Sequence, residues 1–155
     1  MTAVTFTVHH DFGAPVRDLW DELVDWKGHE AWIPMTRVEV GEGDPTDVGH
    51  EFTAWSGLGK LALEDRMRVA ECEWDDQNET GRCTVDKLGP VLTGQAGFTV
   101  SGSGETSSIE WFEQVEVRYL PGFLAPVAAK LGAAGFRHGM KRLDQLLRER
   151  TPANA

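Results

Sequence analysis

From Phe123 to Arg150 the apolar residues keep a helical period, over a longer run than anywhere else in the 155 residues of the chain. At about 100° per residue, Leu124, Ala128, Leu131, Phe136, Met140, Leu143, Leu146 and Leu147 fall within one broad half of the helix surface, and Lys130, Arg137, Lys141 and Arg148 cluster opposite. The spacing predicts a long helix that turns one face inward. The middle of that face carries Gly132, Gly135 and Gly139, each costing roughly 1 kcal/mol against Ala in a helix interior. Side-chain volume is missing where a packed helix would carry Leu or Ile. Either another backbone approaches closely there, or the space is a cavity that receives something else.

Upstream, the pattern alternates. Val4, Phe6, Val8 and His10 share one side of a strand over 3–12, with Thr5, Thr7, His9 and Asp11 on the other. Gly13-Ala14-Pro15 stops it, and Pro15 suits the first turn of a helix with Val16, Leu19, Trp20, Leu23 and Val24 on one face. A second short helical piece over 29–32 runs into Pro34, which cannot continue it. Strands follow over 36–40, 49–55, 60–74, 81–88, 92–101 and 106–119, separated by turns rich in Gly, Pro, Asp and Asn. One strand, two short helices, six strands and a long helix make an α+β domain: a curved antiparallel sheet with helices on one face. The length fits one domain over residues 1–150, with a frayed tail at 151–155.

Fifteen Lys and Arg against twenty-five Asp and Glu give a formal charge of −10, which repels phosphate backbones and argues against nucleic acid as a partner. No apolar run approaches a membrane span and no secretory leader is read, so the expected setting is cytoplasmic. Cys72 and Cys83 lie symmetrically about Gln77-Asn78, so a tight hairpin there would set them opposite each other as free thiols. Phosphate-loop, zinc-protease, nucleophile-elbow and dinucleotide motifs are absent, so neither cofactor nor metal is implied.

The residues also carry a family likeness. The opening strand followed by Pro15-Val16 and a helix with Trp20, Asp25-Trp26 before Trp32-Ile33-Pro34, Asp47-Val48-Gly49 at the next strand, and the closing amphipathic helix together resemble the START-related SRPBCC superfamily. The likeness is to its polyketide cyclase/dehydrase and lipid-transport group. It implies the helix-grip fold: a seven-stranded curved antiparallel sheet, two short helices after the first strand, and the C-terminal helix packed over the sheet with an apolar cavity between. The first and last strands would then be neighbours.

Polar residues on the inward face of a strand are the ones to weigh for chemistry. Glu113 shares a side with Ile109, Trp111, Val115 and Val117, and Asp65 shares one with Leu61, Leu63, Met67 and Val69. With the end strands adjacent, Glu113 and His10 could form an acid/base pair for a cyclase- or dehydratase-like reaction; a structural hydrogen-bonded pair is the plain alternative. Trp32, Trp55, Phe98, Trp111 and Phe136 have the area to clasp a flat or lipidic molecule or, equally, to fill the core. With Asp65, Met67, Leu131, Gly135, Gly139 and Met140 they make the expected binding wall. The expected function is binding of a hydrophobic small molecule, such as a polyketide, lipid or aromatic metabolite. The alternatives are that enzyme, or a surface-acting interaction module or homodimer with a vestigial cavity.

Overall fold

The structure, a computed structural model, describes residues 1–57 and 59–150. The segment 151–155, expected to fray, lies outside the described residues. The elements run β1 (Thr2–Phe12), α1 (Val16–Leu23), a 3-10 turn (Lys27–Ala31), β2 (Thr36–Val40), β3 (Glu51–Ser56), β4 (Leu63–Asp75), β5 (Thr80–Leu88), β6 (Leu92–Ser103), β7 (Thr106–Val117) and α2 (Ala125–Arg150). Short 3-10 turns at Gly59–Leu61 and Gly122–Leu124 precede β4 and α2.

The seven strands form one antiparallel sheet in the order β1-β7-β6-β5-β4-β3-β2. The sheet bends around α2, and α1 with the following 3-10 turn covers the rest of the concave face. Alternation explains the inward set: Val4 and Val8, Val38, Phe52, Cys83 and Val85, Ala96, Phe98 and Val100, and Ile109, Trp111 and Val115 are all buried. In β4 the pairing slips by one residue between Val69 and Glu71. Ala70 is the extra residue of a bulge. Met67 and Val69 point inward before it, whereas Cys72, which pairs with Cys83, and Trp74 point inward after it.

The cysteines therefore oppose each other as expected, and both thiols are free. The Cys72 thiol, and burial after it, push the Cys83 thiol well above its ordinary value, so it is not a nucleophile at neutral pH.

Helix α2 closes over this frame, and two of its three glycines answer to the first explanation. A Cβ on Gly132 would stand 2.6 Å from the Phe6 ring, and one on Gly139 would stand 3.1 Å from the Trp32 carbonyl oxygen and 3.2 Å from its ring. Those two are close approaches. A Cβ on Gly135 would meet nothing within 4 Å.

Candidate functional site

Where the strands curve away from α2, the packing is incomplete. The space left is a cavity of about 90 Å³. Five aromatic rings form one side of it. Trp26 stacks on Phe52 with ring centres 4.3 Å apart, and Phe98, Trp111 and Phe136 form a continuous stack at 5.5 and 4.8 Å. Ile33, Thr36, Ser56 and Phe136 line the side where burial is least complete, which makes the gap between the β2–β3 edge and α2 the mouth.

His29 completes the wall beside Trp32 and Trp111. Its Nε2–H donates to the Leu23 carbonyl at 2.7 Å. Burial holds its pKa down at about 4, against the partly opposing effects of that bond and of Asp25. It is a neutral imidazole at physiological pH.

Opposite the aromatic wall lies a charged floor. Lys87 is buried on β5, with Met67 of β4 beside it in register. On β6 its direct neighbour is Gly94, and the residue facing Glu113 is Ala96. Those small residues let the lysine reach across toward β7. Its Nζ donates to Asp65 Oδ2 at 2.5 Å, lies 3.5 Å from Glu113 Oε2, and has Met67 Sδ at 3.8 Å. Glu113 Oε1 in turn accepts from Trp111 Nε1 at 3.1 Å.

Taking these charges out of water is costly unless each is answered by a partner. Burial alone would depress Lys87, but Glu113 and Asp65 outweigh it and hold the ammonium above its ordinary value. Glu113 goes the other way from a typical paired carboxylate: burial raises it above the usual range, more than Lys87 and the Trp111 N–H pull it down. The floor thus holds a firmly charged lysine between two carboxyls, one of which keeps its proton more readily than a free glutamate.

The expected residues divide. Asp65, Met67, Phe98, Trp111, Glu113 and Phe136 all line the cavity. His10 stands elsewhere: it pairs in register with Ile109, while Glu113 faces Phe6. Four residues at about 3.3 Å each separate them along the strands, roughly 13 Å. His10 Nε2 lies instead 3.8 Å from Asp144 Oδ2 on α2. The residue beside Glu113 is Lys87, which the sequence reading passed over. Its signal was available, since Cys83, Val85 and Lys87 alternate on one face of a strand.

Trp32 is fully buried but packs on Gly139, outside the cavity lining. Trp55 lies on the opposite side of β3 from the lining residue Ala54, under the Arg37 guanidinium at 4.5 Å. Leu131 is 68% exposed, because it sits at the outer edge of the helical stripe. Met140 is fully buried in the core, and neither it nor Gly135 lines the cavity. Among the described residues no group of three or more His, Cys, Asp or Glu side chains is placed to hold a metal ion. No helix among them is long and apolar enough to cross a membrane.

Residues 2–148 match the sequence model of the family described as polyketide cyclase/dehydrase and lipid transport. The chain belongs to that family. Solved structures agree on the fold of this cyclase/dehydrase and lipid-transport member. A START superfamily protein from Mycobacterium smegmatis superposes with a TM-score of 0.70 at 13% identity, over 95% of this chain and 99% of that one. A STAR-related lipid transfer protein from Xanthomonas axonopodis gives 0.69 at 14% identity, over 93% and 85%. The Zhui aromatase/cyclase from Streptomyces sp. R1128 gives 0.67 at 13% identity, over 99% and 98%. At such identities the likeness is one of fold alone. No curated protein matches the sequence.

Proposed function

We propose that this chain binds a small hydrophobic molecule, aromatic and of about one ring, in the cavity between the sheet and α2. The observation that supports it is the continuous aromatic wall around unfilled space, in a family described by polyketide cyclisation and lipid transport. Size narrows the guest. A cavity of about 150 Å³ in an engineered core accepts benzene, and this one measures about 90 Å³. A ring enters only by displacing something. Phe136 is the side chain in position to move, being half-buried on α2 and held on one face by its stack with Trp111. Fused-ring polyketides or long acyl chains would need α2 itself to lift.

Glu113 keeps a secondary, enzymatic reading open in a form the sequence did not suggest. A buried carboxyl with a raised pKa, 3.5 Å from an ammonium, can lend and recover a proton at the end of a bound ring, with Lys87 in the place expected for His10. Binding comes first in either case.

The direct test is a p-xylene titration followed by protein NMR. Wild type should show shifts confined to the lining residues. Ala96→Leu and Ala54→Leu, which put side-chain carbon into the space from two different strands, should abolish them. Failure of wild type to respond to p-xylene or any other single-ring compound would overturn the reading.

A further inference from the structure

Among the described residues, the charged floor leaves one hydrogen-bonding atom unsatisfied. The Lys87 ammonium has three protons, and three acceptors surround it: Asp65 Oδ2, Glu113 Oε2 and Met67 Sδ. The neighbouring Trp111 indole N–H is committed to Glu113 Oε1. No lysine or indole proton is left to point at a guest.

On the acceptor side one atom is left over. Asp65 Oδ1 is buried and, among the described residues, has no hydrogen-bond partner, although Asp65 lines the cavity. A buried acceptor left unpaired is costly, and more so when it is charged. Charge points the same way. One ammonium against two carboxyls leaves no unpaired positive charge to receive an anion.

Resting on the cavity being a binding site, we infer that it selects neutral guests carrying a hydroxyl or N–H at one end, which donates to Asp65 Oδ1, and that it rejects carboxylates. The apolar body of the guest lies along Trp111, Phe98 and Phe52, and the donor supplies the hydrogen the floor lacks. A fatty or aromatic acid would instead bring a second set of acceptors against Asp65 and Glu113 and would leave its own charge without a partner.

Three compounds of nearly one shape separate the possibilities: p-cresol, p-xylene and p-toluate. Their dissociation constants for the wild-type protein are measured by NMR titration at pH 7.5, where p-toluate is ionised and p-cresol neutral. The expected order is p-cresol tightest, by roughly tenfold or more over p-xylene, as suits a hydrogen bond to a charged group. No p-toluate binding is expected at concentrations that saturate with p-cresol. In Asp65→Asn, Lys87 claims the amide oxygen and the amide N–H₂ takes the orphan position, so the p-cresol preference should fall to within about threefold, the loss of a single charge-assisted bond.

Equal binding of p-cresol and p-xylene to wild type, or tightest binding of p-toluate, would overturn the donor assignment while leaving the cavity as a binding site. Absence of binding by all three would overturn both. The wild-type series decides the matter even if Asp65→Asn does not fold.

Discussion

From Gly139 onward, α2 buries Met140, Leu143 and Leu147 almost completely, whereas earlier on the same face Ala129, Gly132 and Phe136 are only half-buried. Apolar periodicity runs unbroken through both halves. The difference comes from what lies opposite. The later half meets Trp32 across the bare backbone of Gly139, and Arg142 Nε donates to the Ala31 carbonyl at 2.8 Å. The earlier half spans the curve of the sheet, and only Phe136 reaches down from it to the cavity. A helix pattern thus sets which face turns inward, while the partner surface sets how fully that face is filled. One half of α2 is wall and the other is cover.

Truncation is the strongest way to break this contrast. Leu143→Ala should destabilise by about 2–5 kcal/mol, the range for a buried Leu whose site cannot collapse. Leu131→Ala should stay within about 0.5 kcal/mol, as for an exposed position. Urea unfolding of both variants measures it, and similar costs would mean that the two halves are packed alike.

Acid probes the packing beneath the helix, through His29 against Trp32 and Trp111. Its folded pKa of about 4 lies below its ordinary value near 6.5. The unfolded chain therefore binds more protons between those values, and stability rises with pH across that window. Burying the neutral ring contributes stability that is complete above about pH 6.5 and lost as pH falls toward 4. The sum is about 3 kcal/mol at 1.36 kcal/mol per unit. Denaturant midpoints from pH 4 to 7 should show this slope in wild type, and His29→Gln should flatten it. An unchanged slope in the variant would assign the acid sensitivity elsewhere.

The smallest effects should come from the glycines, and with opposite signs. Gly135→Ala removes backbone entropy in a helix interior with open space around the new methyl, and should stabilise by about 0.5–1 kcal/mol. Gly139→Ala forces a carbon against the Trp32 carbonyl and ring, and should cost about 1–3 kcal/mol. Thermal unfolding of the pair reads the sign directly; two stabilising changes would show that Trp32 gives way, and two destabilising ones that the space around Gly135 is not free.

The same contrast explains how much could be read from sequence. Strand alternation put Asp65 and Glu113 on the inward face, and the structure brings both to one cavity floor, because the side-chain period of two is a local property. Their partner was harder to read. Alternation names a face but not a height along the strand, so His10 shares Glu113's face while lying four positions away. Lys87 needed a different step, since a lysine in a strand is read as solvated until two inward carboxylates are found waiting for it. The glycines of α2 raised the right question, but whether a missing side chain is met by Phe6, by Trp32 or by nothing depends on tertiary packing that helical spacing does not encode.

The bulge at Ala70 has a wider bearing. It makes β4 two strands laid end to end in opposite phase, one holding Asp65 and Met67 over the cavity and the other holding Trp74 against Trp20. Without that alanine, Val69, Glu71, Cys72, Glu73 and Trp74 would alternate regularly against Val85, Thr84, Cys83, Arg82 and Gly81, each side chain keeping the face it has now. What the strand would lose is the bend and extra twist that a bulge gives it, here between the cavity floor and Trp20. Deleting Ala70 should therefore leave Asp65, Met67, Cys72 and Trp74 facing inward and change the curvature of the sheet instead, whereas a change of length at the Asp75–Thr80 hairpin should alter neither.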